Sequence, residues 1–148
     1  MPLNDSILNI YCDGGARGNP GPAASAFVVK DATGKTLHQQ GFYLGIATNN
    51  IAEYTAVLKA VEWIIKFQPT SEITFFLDSL LVVNQLKGVF KIKEPNLKIE
   101  NLKIKKLIEN CSPRAGSRGK LQISNFIYVP REQNFFADKL VNQTLDSQ

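Results

Sequence analysis

The hydrophobic period of this chain first changes at residue 48, after three strand-like stretches in a row, and no other feature limits its possible folds as strongly. Ahead of that point, apolar residues alternate with a period of two, as in half-buried strands. "SILNIYCD" (6–13) puts Leu8, Ile10 and Cys12 on one face and Asn9, Tyr11 and Asp13 on the other. "AASAFVVK" (23–30) and "KTLHQQGFYLG" (35–45) follow, joined by the turn signal "DATG". Strands with such short connections pair antiparallel. From residue 48, "TNNIAEYTAVLKAVEWIIKF" repeats Tyr54, Val57, Leu58, Val61, Ile64 and Ile65 at helical spacing, with Thr48 or Asn49 placed to cap and Glu53 expected in the first turn. Further on, "EITFFLD" reads as a short buried strand and "SLLVVNQLKG" as a short helix stopping at Gly88. "PNLKIENLKIKKLIEN" reads as an amphipathic helix with Leu97, Ile104, Leu107 and Ile108 inward. "CSPRAGSRG" is a loop, "KLQISNFIYV" a fifth strand and "NFFADKLVNQTL" a last helix. The order β-β-β-α-β-α-α-β-α predicts an α/β fold: a mixed five-stranded sheet, its first three strands antiparallel, with helices packed on it.

A chain of 148 residues fits a single domain, 1–148, able to bury a core without disulfides or a structural metal. No apolar run reaches the roughly 18 residues that suggest a membrane span, and "MPLNDSILNI" lacks the pattern of a signal peptide. Cys12 and Cys111 are the only cysteines, in no metal-binding spacing; a reducing cytoplasm is the expected setting, with pairing of the two left open. The net charge of +4 is unevenly spread. Between Lys87 and Lys106 seven lysines face only Glu94 and Glu100, so this window carries +5 and the rest of the chain −1. Such a run is either a solvated face or an electrostatic footprint for a phosphate backbone.

Four acids stand apart from the others. Asp13 and Asp78 each end an apolar strand, Glu53 lies early in the first long helix, and Asp138 lies early in the last. Each follows an apolar segment that anchors it near the core. Several inward carboxylates repel one another and are costly to bury, so a hard divalent cation with oxygen ligands is the economical partner. Asp5, Asp31, Glu62, Glu72, Glu109 and Asp146 fall in turns, polar faces or the tail and read as solvated. After Asp13 comes "GGARGNPGP", four glycines and two prolines within nine residues. It is either an ordinary hairpin or a stiff loop that lets something approach the backbone beside a carboxylate. A nucleotide P-loop does not fit, because the segment leads into a strand and lacks the G-K-[ST] ending.

Four stretches, "YCDGGARGNPGPAASAFVV", "TNNIAEYTAVLKAVEW", "FFLDSLLVVNQLKG" and "YVPREQNFFADKLVNQ", resemble type 1 ribonuclease H in order and spacing across nearly the whole chain. The resemblance implies the ribonuclease H-like fold. It also implies an endonuclease that hydrolyses the RNA strand of RNA–DNA hybrids, leaving 3′-hydroxyl and 5′-phosphate ends. Asp13, Glu53, Asp78 and Asp138 would hold two Mg2+ or Mn2+ ions, with Asp13 between them. Gly14 and Gly15 would lay backbone amides along the RNA minor groove, where the 2′-hydroxyls lie. Asn49 and Asn50 would contact the nucleic acid and Thr48 would help to seat a DNA phosphate, a role that one residue can combine with capping the helix. Asn19 either touches the nucleic acid or shapes its turn, and Ser79 either reaches a base edge or caps its helix. Lys87, Lys91 and Lys93 would add phosphate contacts. The partner implied is the hybrid alone: no membrane, no obligate protein partner, a monomer. The alternative is a catalytically weak binding module of the same fold.

The chain also departs from the family's pattern. Many members carry a histidine in the loop before the last helix, whereas the single histidine here, His38, lies in the third strand and reads as a surface residue. Arg131 is the only cation in the short loop "VPREQNFFAD" and resembles the arginine of the histidine-free, short-loop branch. It cannot act as a base at neutral pH, since its pKa exceeds about 12, but it can hold the scissile phosphate or the departing group. No tryptophan lies between residues 87 and 106, where some members bear a basic, Trp-containing protrusion. Phe135 and Phe136 are expected to be core or helix-packing residues.

Overall fold

The computed structural model describes residues 7–67, 72–110 and 122–148. In chain order the elements are β1 (Ile7–Ala16), β2 (Gly21–Asp31), β3 (Thr36–Ala47), α1 (Asn49–Phe67), β4 (Glu72–Leu77), α2 (Leu80–Leu86), α3 (Pro95–Asn110), β5 (Gln122–Tyr128) and α4 (Phe135–Asp146), with a 3₁₀ turn at Arg131–Asn134 before α4. This is the predicted order. The loop 111–119, Cys111 and Asp5 lie outside the described residues.

The five strands form one sheet in the order β3-β2-β1-β4-β5. β1 pairs antiparallel with β2, and β2 with β3, as hairpin connections require. β1 runs parallel to β4, and β4 to β5, because α1 and then α2 and α3 carry the chain back between them. One face of the sheet, with Leu8, Ile10, Cys12, Phe27, Val29, Ile73, Phe75 and Leu77, packs under α1 and buries the main core. From α3, Leu97 and Ile104 are buried in it, and Leu107 and Ile108 pack against its edge. On the opposite face α4 lies over β2, where Ala24 and Ala26 leave room for Val141 and Leu145. The α4 stripe is Ala137, Val141 and Leu145, one residue per turn.

That stripe corrects one expectation. Phe135 and Phe136 are each 56% exposed and belong to no core cluster. They precede the buried stripe by two residues and one, at the very start of α4, where the Phe136 ring lies beside Lys30 of β2. His38 is half-buried rather than a plain surface residue: its ring stacks on Trp63 of α1 at 4.9 Å, on the edge strand β3, two strands from β1.

Candidate active site

The register of β1 on β4 builds the site. Cys12 pairs with Leu77 in the parallel ladder, so Asp13 and Asp78, the next residues, leave the two strands side by side. The third acid comes from α1. Thr48 caps that helix, its Oγ1 accepting from the Ile51 N–H at 3.2 Å. Because α1 begins at Asn49, Glu53 falls in the second turn and not the first. The helix can approach β1 only because residue 14 is glycine: a Cβ there would collide with the Ala52 carbonyl and the Glu53 amide. Ser25 in β2 donates its hydroxyl to the Ala52 carbonyl at 2.6 Å and holds the same turn down.

The result is a cluster in which Asp13, Glu53 and Asp78 each present a carboxylate oxygen within 4.8 Å of the others. Asp13 and Glu53 are buried and Asp78 half-buried. The Gly14 N–H donates to Glu53 Oε1 at 3.3 Å, while Glu53 Oε2 is buried with no hydrogen-bond partner. Burial, followed by the charge of Asp78, pushes the Asp13 carboxyl up to about 7. Burial and the charge of Asp13 raise Glu53 well above the usual carboxylate range. Burial also raises Asp78, opposed by a hydrogen bond from Asn134 and by the Arg131 guanidinium. Three crowded acids with an orphaned oxygen and an all-oxygen donor set suit a hard divalent cation, which offsets the repulsion and fills the missing bond. The geometry fits such an ion.

Asp138, in the first turn of α4, lies outside this close group, yet its charge helps to raise both Asp13 and Asp78. Arg131 is exposed in the 3₁₀ turn and near enough for its charge to act on Asp78.

The glycine-rich segment is a hairpin whose strands run to Ala16 and resume at Gly21, closed by the Arg17 N–H donating to the Pro22 carbonyl at 2.8 Å. The tip is tied to the start of α1. Asn49 Oδ1 accepts from the Ala16 N–H at 2.8 Å, and the Asn49 N–H donates to Asn19 Oδ1 at 2.9 Å. Asn19 therefore ties the hairpin tip to the start of α1, and Asn50 lies half-buried next to this junction. Gly15 faces Val141 of α4. Ser79 caps α2, accepting from the Val82 N–H at 3.3 Å. Lys87, Lys91 and Lys93 are exposed in the connection between α2 and α3. Cys12, next to Asp13, is a buried thiol held well above its ordinary pKa by burial and then by the charges of Glu53 and Asp13.

One residue at the site escaped the sequence reading. Asn134, only 1% exposed, donates Nδ2 to the Cys12 carbonyl at 2.8 Å and to Asp78 Oδ2 at 3.3 Å. Its only signal in the sequence is that it precedes Asp138 by four residues, one helical turn.

Comparison with known proteins finds relatives over nearly the whole chain. A family described as "Reverse transcriptase-like" matches residues 11–144. A bifunctional protein of Mycobacterium tuberculosis is 37% identical over 139 residues, 93% of this chain and 35% of that protein. The chain thus spans about a third of the length of that relative. Ribonuclease HI of Halobacterium salinarum is 34% identical over 146 residues, 99% of this chain and 68% of the relative. Among solved structures, LC11-RNase H1 in complex with an RNA/DNA hybrid superposes with a TM-score of 0.83 at 40% identity, covering 95% of this chain and 97% of that one. The crystal structure of RNase H1 from H. salinarum gives a TM-score of 0.84 at 34% identity, covering 96% and 99%.

Proposed function

The chain belongs to the type 1 ribonuclease H family, and from that premise we propose that it is an endonuclease hydrolysing the RNA strand of RNA–DNA hybrids to leave 3′-hydroxyl and 5′-phosphate ends. The observation that carries this reading is the convergence of Asp13, Glu53 and Asp78 from two parallel strand ends and a helix into one buried acidic cluster. Asp13, Glu53, Asp78 and Asp138 would hold two Mg2+ or Mn2+ ions. Ions bound there would supply an activated water on one side of the phosphate and charge stabilisation of the departing 3′ oxygen on the other. The carboxylates neutralise the charge of the ions without offering a competing nucleophile. Asn134 orients Asp78. Arg131, the cation nearest Asp78 in its own loop, grips the scissile phosphate or the departing group with its planar fork. Gly15, Thr48, Asn49 and Asn50 flank the cluster on the hairpin and α1 side, where the minor groove and a DNA phosphate would be read. Ser79 borders it from α2, and Lys87, Lys91 and Lys93 contribute long-range attraction to the phosphate backbone.

The deciding experiment incubates the protein with matched labelled RNA–DNA, RNA–RNA and DNA–DNA duplexes, with Mg2+, with Mn2+ and with chelator. Cleavage confined to the RNA of the hybrid and lost with chelator is expected. Tight hybrid binding without any cleavage under either metal would favour the binding-module alternative. The same reading has residues 1–148 acting as one monomeric domain in the cytoplasm; gel filtration at working concentration tests the first of these.

A further inference from the structure

We propose that the cavity between the start of α4 and the open face of the sheet is a subsite for one nucleotide unit, an unpaired base carrying a phosphate; this rests on reading the acid cluster as a nucleic-acid cleaving centre. The cavity measures about 140 Å³ and is lined by Tyr11, Lys30, Glu132, Gln133 and the paired rings of Phe135 and Phe136. Asn134 forms the wall it shares with the acid cluster, since the same amide donates to Asp78.

Each component matches a part of a nucleotide. Phe135 and Phe136 meet edge to face at 5.5 Å, with more than half of each still exposed to water. Exposed aromatic rings beside a nucleic-acid site are stacking platforms for unpaired bases. Tyr11 closes the floor, its ring stacked on Phe76 at 4.8 Å. Lys30 holds its ammonium 4.4 Å from the centre of the Phe136 ring and 5.8 Å from that of Tyr11. Among the described residues no acid lies within ion-pairing distance of it. The aromatic rings fix this charge at the mouth of the cavity without neutralising it, which leaves it available to a phosphate. Gln133 and Glu132 supply donor and acceptor groups for a base edge. The volume admits one ring system and not a base pair, so the occupant is unpaired. Occupancy would also press on the Asn134 wall, placing the nucleotide close to the reacting phosphate.

The test measures binding of AMP, adenosine and ribose 5-phosphate by NMR titration in the presence of chelator, where cleavage plays no part. AMP is expected to bind the wild type. The double variant Phe135→Ala, Phe136→Ala should bind it roughly 10-fold more weakly, the scale of one lost base–aromatic stack. Lys30→Ala should reduce AMP binding to the level of adenosine. All three positions lie outside the core clusters, and circular dichroism checks that the variants fold. A hybrid with one unpaired ribonucleotide at the RNA end then separates two sources. A lower KM than for the blunt hybrid, lost in the double variant, assigns the subsite to the strand; equal KM values alongside AMP binding assign it to a free nucleotide. Failure of AMP to bind, or equal binding by every variant, in a protein that still cleaves blunt hybrid overturns the subsite and leaves the proposed activity standing. AMP binding without any hybrid cleavage would do the reverse.

Discussion

The acids at the ends of β1 and β4 and the lysines between α2 and α3 are both runs of like charge, yet the protein holds them under opposite conditions. Asp13 and Glu53 are buried, crowded and driven toward protonation by their surroundings. Lys87, Lys91 and Lys93 are exposed and spaced along a connection, where water and salt screen them. Repulsion stored in the first region makes it specific for a ligand that can cancel it. In the second region the charge costs little to hold and discriminates weakly, acting at long range. Chemistry should therefore depend on the acids and affinity on the lysines.

The strongest way to break this comparison is to neutralise the acids. Asp13→Asn, Glu53→Gln or Asp78→Asn should lower hybrid cleavage by orders of magnitude while thermal stability without metal holds or rises, because each amide relieves repulsion. A variant that unfolds well below wild type would show the acid to be structural, and full activity would remove it from the site.

Arg131 comes next. Arg131→Ala should reduce single-turnover cleavage roughly 10- to 1000-fold, the range for losing one transition-state donor, with metal binding intact. Arg131→Lys should recover part of that, since lysine keeps the charge but not the fork. Wild-type rates in both would end the assignment.

Asn134 sharpens the comparison by acting on an acid from behind. Losing its bond to Asp78 through Asn134→Ala should weaken divalent-metal affinity about 10- to 100-fold, as is usual for a residue that orients a ligand. Calorimetric titration with Mn2+ would read it, and unchanged affinity would reduce Asn134 to a link between the 3₁₀ turn and β1.

Smaller still is the lysine effect. Replacing Lys87, Lys91 and Lys93 together with alanine should raise KM and flatten the salt dependence of binding by up to about 2–3 in log–log slope, with little change in the rate at saturation. An unaltered slope would make them a solvated face.

The mildest probe is pH. Asp13 titrates near 7 in the folded protein, against about 3.9 in an unfolded chain. Between those values the folded state binds more protons than the unfolded one, so stability without metal should fall as pH rises from about 4 to 7. The melting temperature of metal-free protein should drop by several degrees over that window, and Asp13→Asn should flatten the slope. A rise with pH would contradict the burial of the acids.

Much of the site was legible because an acid at the end of an apolar run has few places to go. The strand patterns before Asp13 and Asp78 and the helical repeat around Glu53 each anchor a carboxylate near the core. Phe135 and Phe136 were misread because apolar residues at a helix start look like core until the buried stripe of Ala137, Val141 and Leu145 is known. The glycine at position 14 was visible, but its principal neighbour, the backbone of α1, was not. Asn134 carried almost no signal, since an asparagine before a helix reads as a cap and here makes no capping bond.

Local pattern alone determined the elements, their order, the inward placing of Asp13, Glu53 and Asp78 and the separation of lysines from acids, because each follows from side chains a few residues apart. Only the tertiary structure decided that Cys12 pairs with Leu77, setting Asp13 beside Asp78, and that Asn134 reaches back 122 residues to the Cys12 carbonyl. It also decided that Phe135 and Phe136 stay in water. Strand register and helix seating are chosen by the packing of the whole core, and that energy is spread over contacts too distant in sequence for any local period to carry.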